Sequence, residues 1–135
     1  MLNLTCINPD IMRVLSLCGH GDKILIADGN YPLLSKTGNA ERVYLGLSRG
    51  CPTVPEVLKA LAGCVNFEKA EVMVPDGELP PIFGEFREIL GGMKLDGTER
   101  YDFYSACCQP DVRLAISTGE SRTFANILLT VGVAS

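Results

Sequence analysis

Short apolar runs alternate along this chain with segments of helical periodicity, and this alternation constrains the fold more than any other feature. The first run, residues 23–28, is apolar until it ends at Asp28 in a turn, which is typical of a buried strand. Ahead of it, apolar residues at helical spacing predict a helix that Asn8 caps and Gly19 ends. The chain therefore begins as a helix followed by a buried strand.

The rest of the chain continues this alternation. We expect strands over residues 42–47, 71–74, 112–118 and 126–133, a helix beginning at Thr53, and a helix over 82–90. Residues 100–104 fit either a strand or the start of a helix. Strands that alternate with helices predict an α/β fold: a single-domain layered sheet over residues 1–135 with helices packed on it. Ligands of such sheets gather at the loops beyond the strand ends.

Composition excludes several classes of protein. The 135 residues are 47 % hydrophobic and 21 % charged, as in a chain with a packed core. The net charge is −4 with both signs interleaved, so we expect no nucleic-acid partner. No apolar stretch approaches the roughly 20 residues that cross a bilayer, and the first residues do not resemble a signal peptide. We therefore expect a cytosolic protein without a membrane partner.

The cysteines do not indicate a metal site or a disulfide framework. They show no C-x-x-C spacing and accompany a single histidine, so we expect reduced thiols and no bound metal. No Walker loop, G-x-G-x-x-G or G-x-S-x-G pattern occurs, so neither a nucleotide cofactor nor a serine nucleophile is indicated. The sequence predicts no cofactor.

The one histidine, His20, lies between two glycines, two residues before Asp22 and just ahead of the first predicted strand. Flanking glycines leave the imidazole accessible, and an imidazole can both donate and accept a proton near neutral pH. Asp22 could fix its tautomer. The functional interpretation makes both residues catalytic, whereas the alternative is a surface turn without a function.

Three further polar residues could bind a ligand. The carboxylate of Asp28 ends the first strand and could bind hydroxyl groups, or it could only accept turn amides. Asn126 opens the last strand and could hydrogen-bond a sugar, or it could be a turn residue. Arg100 begins an R-x-x-F-Y pattern and could bind oxygen ligands, or it could form an exposed salt bridge at a strand edge.

In order and spacing, these motifs closely resemble the ribose pyranase and fucose mutarotase family, RbsD/FucU. The resemblance covers nearly the whole chain and rests on residues 19–22, the strand ending at Asp28, and residues 48–53, 100–104, 117–120 and 126–133. It implies an isomerase that interconverts the anomers of a free monosaccharide by acid–base ring opening. It also implies a ring-shaped homo-oligomer, commonly a decamer, with the pocket near a subunit boundary.

The resemblance implies roles for individual residues as well. His20 matches the family's proton donor. The sugar-binding residues that it implies are Asp28, Arg100, Phe124, Ala125 and Asn126. Arg100 matches the fucose mutarotase branch, because the ribose branch typically carries histidine there. L-Fucose or a related sugar is therefore the expected substrate.

One departure from the family pattern is Phe124, which stands where tyrosine is usual. A phenolic hydroxyl that could hydrogen-bond the sugar or relay a proton is thus missing. Either Tyr31, Tyr101 or Tyr104 substitutes for it, or the substrate preference has shifted. Two other functions stay open: a non-catalytic sugar-binding accessory of an uptake system, and a structural or regulatory oligomer with a vestigial pocket.

Overall fold

The computed structural model describes residues 1–134; residue 135, the last of the predicted domain, lies outside the described residues. Within them, four helices accompany one six-stranded sheet. The helices are α1 (Pro9–Leu17), α2 (Val54–Ala62), α3 (Ile82–Ile89) and α4 (Arg100–Cys107). The strands are β1 (Lys23–Ala27), β2 (Glu41–Tyr44), β3 (Phe67–Met73), β4 (Leu95–Thr98), β5 (Val112–Ser117) and β6 (Ile127–Val131).

Local hydrogen bonds explain where the first two helices begin. The Asn8 side chain accepts a hydrogen bond from the Ile11 N–H at 3.0 Å and so caps α1. At α2, the Thr53 hydroxyl accepts from the Glu56 N–H, and the Glu56 carboxylate accepts from the Thr53 N–H. Both predicted helix starts are confirmed.

The order of the strands brings distant loops together. The sheet has the order β2-β5-β1-β6-β3-β4, and β6 runs antiparallel to both of its neighbours, β1 and β3. The carboxyl end of β1 consequently meets the amino end of β6, where Ile26 pairs with Ile127. At the other end of these two strands Lys23 pairs with Thr130, so the loop that precedes β1 lies beside the carboxyl end of β6.

Both faces of the sheet are covered, which explains why β1 and β6 are apolar except at Lys23 and Thr130. Ile24 and Ile26 of β1 point to the core that α1, α2 and α3 cover. Leu25 and Ala27 point to the other face, where they pack with Phe103 of α4. The predicted α/β sheet with helices packed on it is confirmed. None of the helices within residues 1–134 is long and apolar enough to span a membrane.

Several predicted boundaries were wrong. The edge strand β4 was not predicted, because residues 95–98 contain one large apolar side chain and a glycine. β3 begins four residues before its predicted start, because Glu68 and Lys69 are polar and their pattern does not indicate a buried strand. β2 and β6 are shorter than predicted. Residues 100–104 belong to a helix, α4, and the Glu99 side chain caps it by accepting the Asp102 N–H.

Candidate functional site

A cavity of about 230 Å³ opens where the carboxyl end of β1 meets the amino end of β6. One carboxylate, two amides, one guanidinium and three aromatic rings line it. The lining residues are Asp28, Asn30, Tyr31, Met73, Arg100, Tyr104, Thr123, Phe124 and Asn126. Aromatic faces with a few convergent polar groups suit a small ligand that has both hydroxyl and C–H surfaces.

Asp28 ties together the two loops that form this cavity. Its side chain accepts the N–H of Asn30 at 2.9 Å and the N–H of Ala125 at 3.2 Å. Its own N–H donates to the Asn126 side-chain oxygen at 2.8 Å. The residue is only 3 % exposed, and this burial raises the pKa of its carboxyl even though the N–H donors oppose the shift. Asp28 is therefore part of a pre-formed, tightly bonded wall.

Phe124 occupies an unusual backbone conformation in the same wall. Its φ of 56° lies in the left-handed region, which costs an L-residue about 1–2 kcal/mol. The hydrogen bonds of its neighbours Ala125 and Asn126 to Asp28 hold this conformation in place. The Arg100 guanidinium carbon lies 5.8 Å from the centre of the Phe124 ring, a cation–π distance. The start of α4 thereby completes the wall.

The structure places His20 and Asp22 away from this cavity. Both precede β1, whereas Asp28 follows it, and a five-residue strand alone spans roughly 17 Å. His20 instead lines a separate cavity of about 530 Å³ together with Cys18 and Cys64. Of the predicted site residues, Asp28, Arg100, Phe124, Ala125 and Asn126 come together, and His20 and Asp22 form a second group.

The expected contact between Asp22 and the imidazole needs correction. The Asp22 carboxylate accepts the Gly19 N–H at 2.8 Å and so closes the loop on itself. The His20 Nε2 atom lies 2.9 Å from the nearer carboxylate oxygen of Glu68 in β3, and the imidazole is 59 % exposed. Gly21, with a φ of 92°, turns the backbone and donates its N–H to the Val131 carbonyl.

Glu68 was missed by the sequence analysis. It lies 48 residues from His20, and β6 separates its strand from β1 in the sheet. Nothing in the local sequence signals this neighbourhood. Within residues 1–134 no group of three or more His, Cys, Asp or Glu side chains is placed to hold a metal ion, and all six thiols are free.

Comparison with known proteins shows relatives over nearly the full chain. Residues 1–134 match the family model described as the RbsD / FucU transport protein family. A fucose mutarotase from Danio rerio is 31 % identical over 94 % of this chain and 89 % of its own. A D-ribose pyranase from Chloroflexus aggregans is 27 % identical over 94 % of both chains.

Solved structures share the same fold. A fucose mutarotase from Streptococcus pneumoniae in complex with L-fucose has 27 % sequence identity and a TM-score of 0.85, with complete coverage of both chains. Bacillus subtilis RbsD complexed with D-ribose also has a TM-score of 0.85, at 23 % identity, and shows the same architecture. On the match of the family model, which spans every described residue, this chain belongs to the RbsD / FucU family.

Proposed function

We propose that the protein is a monosaccharide mutarotase that interconverts the anomers of a free sugar. The supporting observation is the cavity in which the groups of Asp28, Arg100 and Asn126 converge beside an aromatic ring. A carboxylate accepts hydrogen bonds from hydroxyl groups, a guanidinium donates hydrogen bonds to oxygens, and an amide does both. Relatives named fucose mutarotase and D-ribose pyranase support this class of reaction.

The reaction needs two proton transfers and no redox change. A proton is added to the ring oxygen and another leaves the anomeric hydroxyl, while the bond between C1 and the ring oxygen breaks. The open aldehyde rotates about its C1–C2 bond and closes again, with the same transfers in reverse. General acid–base catalysis by a positioned side chain supplies roughly 10²–10⁴-fold.

His20 is the proton-transfer residue of this proposal. Because His20 and Asp28 lie at opposite ends of β1, the imidazole must reach the cavity of a second copy of the chain. A head-to-tail contact of this kind gives a ring when its rotation closes and a filament when it does not, and a ring is the arrangement that we propose. The exposed imidazole supports this arrangement, with Glu68 orienting it and Asp22 shaping its loop. A ring-shaped homo-oligomer, such as a decamer, follows as part of the proposal.

L-Fucose or a related sugar is the proposed substrate. Arg100 supports it, because the R-x-x-F-Y pattern that it begins resembles the fucose mutarotase branch and its guanidinium lines the cavity. There the guanidinium can donate hydrogen bonds to the hydroxyl oxygens of a neutral sugar. The cytosolic location stays a prediction.

Exchange NMR on L-fucose, D-ribose and D-galactose tests the activity. We expect wild-type protein to accelerate anomer exchange, most for fucose, and His20→Ala to lose about 10²-fold or more of that acceleration. Lys94→Ala, a change at an exposed lysine, is the matched control and should keep the full rate. Equal rates for His20→Ala and wild type would show that His20 is not the proton-transfer residue.

A mixing experiment tests whether the site is shared between copies. His20→Ala and Asp28→Asn should each be inactive alone. When they are unfolded, mixed one to one and refolded together, about a quarter of head-to-tail sites would combine an intact His20 with an intact Asp28. Recovered activity near that fraction supports a shared site, and no recovery from well-folded mixed oligomers would exclude it.

A non-catalytic sugar-binding accessory of an uptake system is the second candidate function. Two observations favour it: the matching family model is described as one of transport proteins, and Phe124 brings no hydroxyl to the cavity. Calorimetry separates the candidates. Tight sugar binding without accelerated exchange would select the accessory function, whereas exchange at catalytic amounts of protein would select the mutarotase.

A further inference from the structure

We propose that the hydroxyl of Tyr104 binds one sugar hydroxyl in this cavity and thereby sets the preference among monosaccharides. This inference rests on the proposed sugar-binding function and adds a residue to it. Three aromatic side chains line the cavity, Tyr31, Tyr104 and Phe124, so two phenols are candidates for contact with a ligand.

The helix α4 places Tyr104 next to Arg100. The two residues are four positions apart, which puts them on the same face of the helix, and both line the cavity. The adjacent stripe of α4 carries the fully buried Phe103 and Cys107, each three residues after one of this pair. The packing of that buried face therefore fixes the direction in which Tyr104 and Arg100 point.

Neighbouring side chains hold the Tyr104 ring in one orientation. The Tyr31 ring meets it edge-on with centroids 5.4 Å apart, and the Tyr101 ring meets it edge-on at 6.2 Å. The Lys36 ammonium lies 5.9 Å from the centre of the Tyr104 ring. A phenol held from several sides loses little conformational entropy when a ligand binds.

Only one of the two phenols lining the cavity is free to bind a ligand. The Tyr31 hydroxyl already donates to the Lys36 carbonyl at 2.8 Å, and burial raises the pKa of Tyr31. The Tyr101 side chain is outside the cavity lining and 70 % exposed. No hydrogen bond within residues 1–134 occupies the Tyr104 hydroxyl, and the residue is half-buried at the cavity wall.

The chemistry of a phenol differs from that of the two charged groups in the wall. Asp28 in its ionised form only accepts hydrogen bonds and Arg100 only donates them, whereas a phenol does both. Tyr104 can therefore accept from one sugar hydroxyl while donating to an adjacent oxygen. A sugar that lacks this hydroxyl leaves the phenol without its partner, which weakens binding.

Calorimetric titration of wild type and Tyr104→Phe with a preferred sugar and a set of its mono-deoxy analogues tests the proposal. Phenylalanine keeps the ring packing, and Tyr44→Phe, at an exposed tyrosine of β2 outside the cavity lining, is the matched control. We expect Tyr104→Phe to bind the parent sugar about 3- to 10-fold more weakly, the range of one neutral hydrogen bond, and Tyr44→Phe to bind it normally. One deoxy analogue should bind wild type and Tyr104→Phe equally well.

The outcomes separate this inference from the proposed function. If wild type binds sugar and Tyr104→Phe binds every sugar as tightly, the role of Tyr104 is wrong and the proposed function is untouched. A uniform loss for all analogues in Tyr104→Phe would mean a structural role and would also overturn the inference. If wild type binds none of the sugars, both proposals fail. Binding without anomer exchange would contradict catalysis alone.

Discussion

Asp28 shows how one side chain can build a site and remain available for chemistry. Two backbone N–H groups donate to its carboxylate, and its own N–H donates to Asn126. A carboxylate has about four lone-pair positions, so acceptor capacity remains for a sugar hydroxyl. The left-handed backbone conformation of Phe124 depends on these contacts, because a bulky aromatic residue does not favour a positive φ by itself.

The raised pKa of Asp28 has a measurable consequence for stability. A buried carboxyl with a raised pKa binds its proton more tightly in the folded state, so the contribution of Asp28 to stability is largest below its ordinary pKa of 3.8 and falls as the pH rises above that value. Asp28→Asn removes this titration. We expect the free energy of unfolding of wild type to decrease relative to Asp28→Asn as the pH rises from about 4 to 6.

Urea denaturation of both proteins at several pH values measures this difference. The variant also loses an acceptor for the Ala125 N–H, but that loss is independent of pH and shifts the whole curve. A constant difference between the two proteins across this range would show that burial does not raise the pKa of Asp28.

At the scale of secondary-structure elements, hydrogen bonds from the turn after β5 connect two helices to the sheet. The Glu120 side chain, 2 % exposed, accepts the Val54 N–H at the start of α2 at 3.2 Å. It also accepts from the Arg122 guanidinium, which donates in turn to Glu85 of α3 at 2.6 Å. One carboxylate thus connects the loop before β6 with α2 and, through Arg122, with α3.

Glu120→Gln tests this connection. Burial opposes ionisation, but the donors from Arg122 and the Val54 N–H outweigh it and lower the pKa of Glu120. A carboxyl with a lowered pKa stabilises the fold above its ordinary value of 4.5 and loses that contribution as the pH falls below it. We expect the variant to lose about 1–2 kcal/mol at pH 7, a modest cost because Arg122 is half exposed.

The difference between wild type and Glu120→Gln should shrink as the pH falls from 4.5 towards 3, since wild type then loses the same charge. Thermal unfolding followed by circular dichroism measures it. Glu88→Gln, an exposed change on α3, is the control and should behave like wild type. A difference that grows in acid would contradict the lowered pKa.

At the scale of the whole molecule, the separation of His20 from the cavity means that the proposed activity depends on assembly. Apolar side chains are exposed near both ends of β1: Leu17 is 72 % exposed near the His20 loop, and Tyr101 is 70 % exposed beside the cavity. Exposed apolar surface of this kind is a common mark of a protein–protein contact. These surfaces suit the head-to-tail contact of the proposed ring.

Sedimentation equilibrium tests the assembly. The monomer mass is 14.6 kDa, and we expect one species of several times that mass, with dilution reducing anomer exchange in parallel with dissociation. A fully active 14.6 kDa monomer would contradict a site shared between copies. The measurement is independent of which sugar the protein prefers.

The sequence by itself determined the parts of this protein that depend on short-range interactions. The caps at Asn8 and Thr53 fixed the starts of two helices, because a capping side chain bonds to an N–H only two or three residues away. The buried strand β1 was predictable from its apolar run, and β5 from the alternation of its residues. Asp28, Arg100 and Asn126 were identified as candidates through their motifs, although their convergence was not visible in the sequence.

Tertiary structure alone decided the features that depend on strand pairing across long stretches of chain. The antiparallel insertion of β6 between β1 and β3 brings Asn126 to Asp28 and Glu68 to His20. The edge strand β4 exists because β3 offers it hydrogen bonds, not because its own residues favour a strand. The sequence predicted His20 and Asp28 as residues of one site. In the structure β1 lies between them, and its length keeps the two side chains of one chain apart.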